Sequence, residues 1–252
     1  MADENPEEIS RWVTGKGKFT ISGSEIELEV TVPAEPIRPR RMLPIFQQLT
    51  NTIVDAAVRK VEAEGRTISC KAGCGACCRQ LVPIAEMETF HLREVVESLP
   101  ESRQAEIRKR FDDARERLES AGMLATLRQP TGMSLEDRRK FGLEYFKLGI
   151  ACPFLEEESC SIHPQRPLSC REYLVTSPAE NCAMPKNNIE GVELAEKVST
   201  VVYTLDSELS AMAYRWVPMI LALEWADAHN EDASKRLGTE LFTEVVRRLT
   251  GK

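Results

Sequence analysis

Four cysteines within nine residues, in the run CKAGCGACC from Cys70 to Cys78, constrain this chain more than any other feature. Four more, Cys152, Cys160, Cys170 and Cys182, fall in one irregular segment that begins after a gap of 73 residues. A thiolate sits about 2.3 Å from zinc, so four sulfurs on one ion must lie within about 4 Å of one another. Two cysteine-bearing segments so far apart in sequence call for a scaffold that brings them together. Positions 70, 74, 77 and 78 share one face of an ideal helix. The same geometry spreads them about 12 Å along the axis, at roughly 1.5 Å per residue. A straight helix therefore cannot offer all four to a single ion. Gly73 and Gly75 permit positive φ and close backbone approach, so the segment is expected to curl around one metal. Only one of the vicinal pair Cys77 and Cys78 is then a direct ligand; the other arrangement is two metals or a larger cluster.

Plainer readings of these residues differ in strength. An isolated cysteine is most often a small apolar filler, which suits Cys182 as well as ligation does. It suits the 70–78 group poorly, because Lys71, Gly73, Gly75 and Arg79 flank it. A thioredoxin-like CxxC at Cys74–Cys77 lacks the βαβ pattern such a motif needs. His163, three residues after Cys160, is a candidate nitrogen ligand. Pro167 suits the first turn of a short helix carrying Cys170, whose thiolate the helix start, Arg166 and Arg171 would stabilise. Those arginines either offset the excess charge of metal-bound thiolates or pair at the surface with Glu156, Glu157, Glu158 or Glu172. The chain contains no G-x-x-x-x-G-K, G-x-G-x-x-G, H-E-x-x-H or G-x-S-x-G, so phosphate-loop, dinucleotide, zincin and serine-hydrolase chemistries lose their main support.

The rest of the sequence reads as mainly α, an irregular helical domain around a cysteine-ligated metal site with a small N-terminal β-hairpin. Alternation of Phe19, Ile21, Ile26, Leu28 and Val30 around Ser22–Ser24 predicts the hairpin over Lys18–Val32. Helical spacing predicts a helix over Leu43–Glu64 ended by Gly65, and another over Ile84–Leu99 stopped by Pro100. A charged helix follows over Glu101–Ala121, then a turn at Gln129–Gly132. Ser134 and Asp137 mark the start of a helix through Leu148. Cys152–Lys186 reads as loop with one short helix, and the chain from Leu194 as two or three helices, the last capped by Asn230. The expected organisation is residues 1–66 as hairpin and helix, 67–185 as the cysteine core, and 186–252 as helices packed on it, in one compact unit.

Forty acidic residues outnumber thirty-three basic ones, for a formal charge of −7. That balance argues against a nucleic-acid surface, and the short basic stretch Arg38–Arg41 is broken by Pro39. The apolar run Trp216–Trp225 is far below the ~20 residues of a bilayer span, so no membrane partner is expected. The acidic N-terminus lacks the apolar region of a secretory signal. Cytoplasm is then the expected compartment, where eight cysteines serve as ligands or reactive thiols rather than disulfides.

Together, CKAGCGACC, CPFL at Cys152–Leu155 and CSIHPQRPLSCREY at Cys160–Tyr173 resemble the YkgJ-like cysteine cluster family, also described as the zinc- or iron-chelating CxxCxxCC domain. The resemblance runs over residues 67 to 175. It implies Cys70, Cys74, Cys77, Cys78, Cys152, Cys160 and Cys170 as metal ligands, with Cys182 and His163 as further candidates. His163 departs from the aromatic residue usual in relatives. Some relatives are the longer flagellin lysine N-methylases, but nothing in this chain marks a methyl-donor pocket, and no catalytic residue is assigned. The residues fit a metalloprotein with an iron–sulfur cluster or an iron or zinc centre, acting in redox or modification chemistry on a protein partner or other substrate. They also fit a structural zinc module in a helical interaction protein, or a thiol-based metal-trafficking protein. All-sulfur sites suit zinc, copper(I) and iron–sulfur, so spacing does not choose the metal.

Overall fold

The computed structural model describes residues 10–21, 23–129, 134–184, 188–209, 216–231 and 234–251. The chain is mainly α, as expected, with small antiparallel strand pairs. The N-terminal hairpin pairs β1 (Trp12–Ile21) with β2 (Ser24–Pro33), in register from Trp12 opposite Pro33 to Ile21 opposite Ser24. It is longer than the alternation indicates. The added β1 residues, Trp12–Gly17, are all exposed and joined to β2 by pairs such as Thr14–Thr31 and Lys16–Glu29, so on that strand there is no hydrophobic period to read. Alternate residues of β2, from Ile26 to Val32, are buried.

A short strand β3 (Pro36–Ile37) leads into α1 (Leu43–Ala63), whose Phe46, Leu49 and Ile53 meet that buried face. Gly65, at φ 76°, ends the helix as predicted. The next helix is shorter than expected. Ile84 is spent on strand β4 (Pro83–Ile84), and α2 (Glu86–Glu97) begins after it. Pro100 then caps α3 (Glu101–Ser120), which is followed by α4 (Leu124–Arg128) and α5 (Leu135–Lys147). Ser134 caps α5 by accepting the Asp137 N–H at 3.1 Å, as predicted. The turn expected at Gln129–Gly132 lies mostly outside the described residues.

The segment from Cys152 is more ordered than a loop. It holds a tight strand pair, β5 (Leu155–Glu156) with β6 (Ser159–Cys160), joined through Glu157 and Glu158 at φ 48° and 58°. It also holds the one-turn helix α6 (Leu168–Arg171) and 3-10 turns at His163–Gln165 and Ala179–Ala183. The C-terminal part comprises α7 (Val198–Leu209), β7 (Val217–Pro218), α8 (Ala222–Ala228), β8 (Arg236–Leu237) and α9 (Gly238–Thr250). Asn230 does not cap the last helix. Strand β8 pairs with β3 first, and α9 starts directly after it at Gly238. A side chain at Gly238 would place Cβ 2.5 Å from the Pro33 carbonyl oxygen, so glycine is required where α9 presses on the hairpin end.

Three apolar clusters organise these elements. The first joins the hairpin, α1, α7 and α9, with Leu168 inserted from the cysteine segment. The second gathers Ile84, Leu92, Phe111, Phe154, Ile162 and Met219 beneath Cys152, Cys160 and Cys170. The third lies among α3, α4, α5 and Ile220–Leu221. Among the described residues, no helix is long and apolar enough to cross a membrane.

Candidate metal centre

Cys70–Cys78 does curl, and its two glycines do different work. Gly73 takes φ 80°, the left-handed conformation that reverses the chain between Cys70 and Cys74. Gly75 has ordinary dihedrals but no room for a side chain: an added Cβ would stand 2.6 Å from Leu155 Cδ1 and 2.7 Å from Glu158 Oε2. The absence of a Cβ lets the 3-10 turn Ala76–Arg79, bearing Cys77 and Cys78, lie against the β5–β6 pair.

Hydrogen bonds fix that approach. The Cys152 N–H donates to the Cys78 carbonyl at 2.7 Å. Arg79 donates to both carboxylate oxygens of Glu158, at 3.0 and 2.6 Å, and to the Gly75 carbonyl at 2.9 Å. Further along, the Ser69 N–H donates to the Val175 carbonyl and the Ser69 hydroxyl to Thr176. The turn Ala179–Ala183 packs on Ala76–Arg79, bringing Cys182 to the same place. The two cysteine segments therefore meet.

Cys77 is the hub of the meeting. A negative charge there bears on Cys70, Cys152, Cys160, Cys170 and Cys182 alike. Its own thiol is pushed up first by the hydrogen bond shared with Cys78 and then by burial. Burial pushes up the thiols of Cys70, Cys152, Cys160 and Cys182, and takes Cys170 to about 12. These sulfurs are protonated and poorly nucleophilic at neutral pH until a cation displaces their protons. Among the described residues, no three His, Cys, Asp or Glu donors stand as a ready-made metal site, so ligation requires the sulfurs to close in from their positions around Cys77.

The helix carrying Cys170 is held from three sides. Glu88, 3% exposed, accepts the N–H groups of Ala85 and Leu168 at 2.8 Å each, joining the start of α2 to the start of α6. Burial raises its carboxyl to about 7. Glu172, just past α6, accepts the N–H and hydroxyl of Ser199 on α7. Ser169 donates to the Pro83 carbonyl at 2.6 Å. Glu88 escaped the sequence reading, although its helical stripe with Leu92 and Val96 placed a carboxylate on an apolar face. Nothing in the sequence marked Tyr173, whose hydroxyl accepts from Gln80 Nε2 at 3.4 Å.

Among the described residues, neither Arg166 nor Arg171 forms an ion pair with Glu156, Glu158 or Glu172. Glu156 is taken by Arg103 and Arg110, Glu158 by Arg79, and Glu172 by Ser199. Buried Arg171 binds the backbone carbonyls of Arg166 and Pro164 and the Asn51 amide oxygen, which shapes the loop before Cys170. Arg166 bears electrostatically on Cys70, Cys77, Cys160 and Cys170, and its Nε is buried with no hydrogen-bond acceptor. The four-residue helix is too short to carry much of the macrodipole expected there, so the guanidinium supplies the positive field. His163 is exposed, and the charges acting on its ring are Arg166 and Arg171, not the sulfurs.

The buried, unsatisfied Arg166 nitrogen beside Cys70, Cys77, Cys160 and Cys170 suits a thiolate-bound metal, whose excess negative charge would engage it. Residues 69–190 match the CxxCxxCC family, described as a "Putative zinc- or iron-chelating domain". That segment, just under half of the chain, is similar to this family. The matched segment holds all eight cysteines, and the hairpin, α1, α7 and α9 lie outside it. No curated protein and no solved structure matches the chain.

Proposed function

We propose that the protein holds a zinc or iron centre, iron–sulfur included, through Cys70, Cys74, Cys77, Cys152, Cys160 and Cys170, with Cys78 hydrogen-bonded to Cys77. The observation that carries this is the meeting of both cysteine segments, through the Cys152 N–H on the Cys78 carbonyl and the Ala179–Ala183 turn against Ala76–Arg79, beside the unsatisfied Arg166 Nε. A bound metal supplies Lewis-acid or electron-transfer chemistry. This chain's residues place the thiols, exclude water through the Phe154–Ile162 cluster and set a positive charge beside them.

Free-thiol trafficking fits less well, since it needs exposed, low-pKa sulfurs, whereas burial moves these the other way. Metal analysis and a visible spectrum on anaerobically purified protein choose between the metals. Broad visible absorbance with iron and sulfide supports an iron–sulfur cluster; a colourless protein with bound zinc supports zinc. Reloading the apoprotein at neutral pH should release about one proton per thiolate formed, read from calorimetry in buffers of different ionisation enthalpy. Protein that takes up neither metal nor releases protons refutes the reading.

A further inference from the structure

The N-terminal hairpin leaves one of its two edges open. We propose that β1 pairs along that edge with β1 of a second copy of this chain, antiparallel about a two-fold axis at Gly15, so that two hairpins form one four-stranded sheet. The inference stands apart from the metal reading, since the hairpin carries no cysteine and lies outside the matched segment.

Among the described residues, β1 pairs with β2 alone. The Ala34 N–H donates to the Arg11 carbonyl at 2.9 Å, one rung beyond Trp12 opposite Pro33. Bonded and non-bonded pairs alternate along an antiparallel ladder. Val13, Gly15 and Gly17 therefore bond β2, while Thr14, Lys16 and Lys18 turn their N–H and C=O groups away from it. Pro33, which has no N–H, falls on a non-bonded rung as this alternation requires. The far edge of β2 is tended from α1, where Gln48 Nε2 donates to the Glu29 carbonyl at 3.0 Å. Among the described residues, no side chain does this for Thr14, Lys16 or Lys18.

Edge strands are ordinarily kept from one another by shortness, proline, a bulge or an inward charge. β1 runs ten residues with no proline, an unbroken register and uncharged residues on its core-facing side. Its two lysines lie in the other row and are already matched across the hairpin, Lys16 with Glu29 at 2.9 Å and Lys18 with Glu27 at 3.4 Å. The core-facing side is itself unfinished. Phe19 and Ile21 reach the apolar cluster, but Gly15 and Gly17 are exposed and Val13 is 45% exposed. A Cβ at either glycine would meet no atom within 4 Å. Glycine weakens a strand interior and marks a place where another backbone comes close.

Charge selects the register. An axis at Lys16 or Gly17 would set lysine opposite lysine, which destabilises the pair. An axis at Thr14 would leave Lys18 beyond the end of the facing strand. An axis at Gly15 pairs the whole of Trp12–Lys18, with Thr14 opposite Lys16 and Trp12 opposite Lys18, a cation–π match. On the core-facing side it lays Val13 of each copy over Gly17 of the other, filling the space the glycine leaves.

Sedimentation equilibrium of the full-length protein at up to about 100 µM tests this, with far-ultraviolet circular dichroism to show that each variant is folded. Wild-type mass should rise to twice that of the chain. Thr14→Pro, which removes an outward N–H that β2 does not use, should return it to the monomer. Gly15→Lys, which sets two lysines together at the axis in space that is empty in one copy, should do the same. Mixing Gly15→Lys with Gly15→Glu should restore the doubled mass. Amide exchange should slow at Thr14, Lys16 and Lys18 as wild-type concentration rises. A wild-type monomer throughout the range overturns the inference, and so does a dimer that survives both Thr14→Pro and Gly15→Lys. A mixture that stays monomeric overturns the axis at Gly15. Protection of those amides in a monomer puts another segment on the edge and overturns the second copy.

Discussion

Gly75→Ala tests whether the cysteine turn is seated by backbone contact with the β5–β6 pair. The new Cβ would meet Leu155 Cδ1 at 2.6 Å, Glu158 Oε2 at 2.7 Å and Glu158 Cα at 3.2 Å. The leucine methyl can rotate away. The carboxylate cannot move without loosening its two hydrogen bonds from Arg79, and the Cα belongs to a tight turn already at φ 58°. Gly75 sits at φ −96° and ψ 10°, which alanine tolerates, so the dihedrals add no strain. Overpacking of this kind costs about 1–3 kcal/mol, and the stiffer unfolded chain returns about 0.4–1 kcal/mol. A net loss of about 1–2 kcal/mol is expected in urea denaturation of the metal-free protein. Removing the carboxylate should relieve part of it. Glu158→Ala alone breaks a half-exposed ion pair worth under about 1 kcal/mol. In the Gly75→Ala background it should therefore destabilise less than it does alone, or stabilise, because contacting residues are not additive. Gly73→Ala is the control: no atom lies within 4 Å, so its loss comes from φ 80° alone and is indifferent to Glu158. If Gly75→Ala is as stable as wild type, or strictly additive with Glu158→Ala, the seating argument fails.

Arg166→Gln should weaken metal binding about 10- to 100-fold in a chelator competition, with the circular dichroism unchanged; an unaltered affinity would mean the guanidinium does not serve the sulfurs. Folding raises the carboxyl of Asp206, mainly through burial, to about 8, and it faces Glu86, Glu88 and Glu231. The folded chain therefore keeps a proton that the unfolded chain loses near pH 4. Stability from this group is full below that pH and falls as pH rises through 8. Asp206→Asn keeps an acceptor for the Met87 N–H, which Asp206 Oδ2 now receives at 2.7 Å, and should flatten the decline in urea midpoint between about pH 4 and pH 8. A chelator should leave most of the far-ultraviolet helical signal while exposing residues 70–78 and 152–182 to protease, since the first and third apolar clusters contain no cysteine. Global unfolding on chelation would instead make the metal structural.

The legible part of the fold was the part with a period. Phe46, Leu49 and Ile53 mark α1 by spacing alone, and Ser134 with Asp137 marks the start of α5. The polar half of the hairpin was hidden, because its rungs face solvent on one strand and carry no hydrophobic rhythm. The displaced start of α9 was hidden too, because a two-residue pairing between β3 and β8 is a long-range event that no local cap announces. At the site, cysteine spacing and the two glycines foretold a curled segment meeting a second one. It did not foretell that Gly75 is needed for a neighbour rather than for its own φ. Nor did it show Glu88 binding the start of α6, which depends on a partner 80 residues away.

Leu168 gives the site a reach beyond the matched segment. It stands two residues before Cys170, fully buried, in the apolar cluster shared by the hairpin, α1, α7 and α9. A shift of Cys170 toward a metal would press through one turn of helix on that cluster. By reciprocity, a partner that grips the hairpin and repacks the cluster changes metal affinity by the same factor by which metal changes the partner's grip. The cysteine-bearing segment and the part of the chain outside it would then report on each other's occupancy.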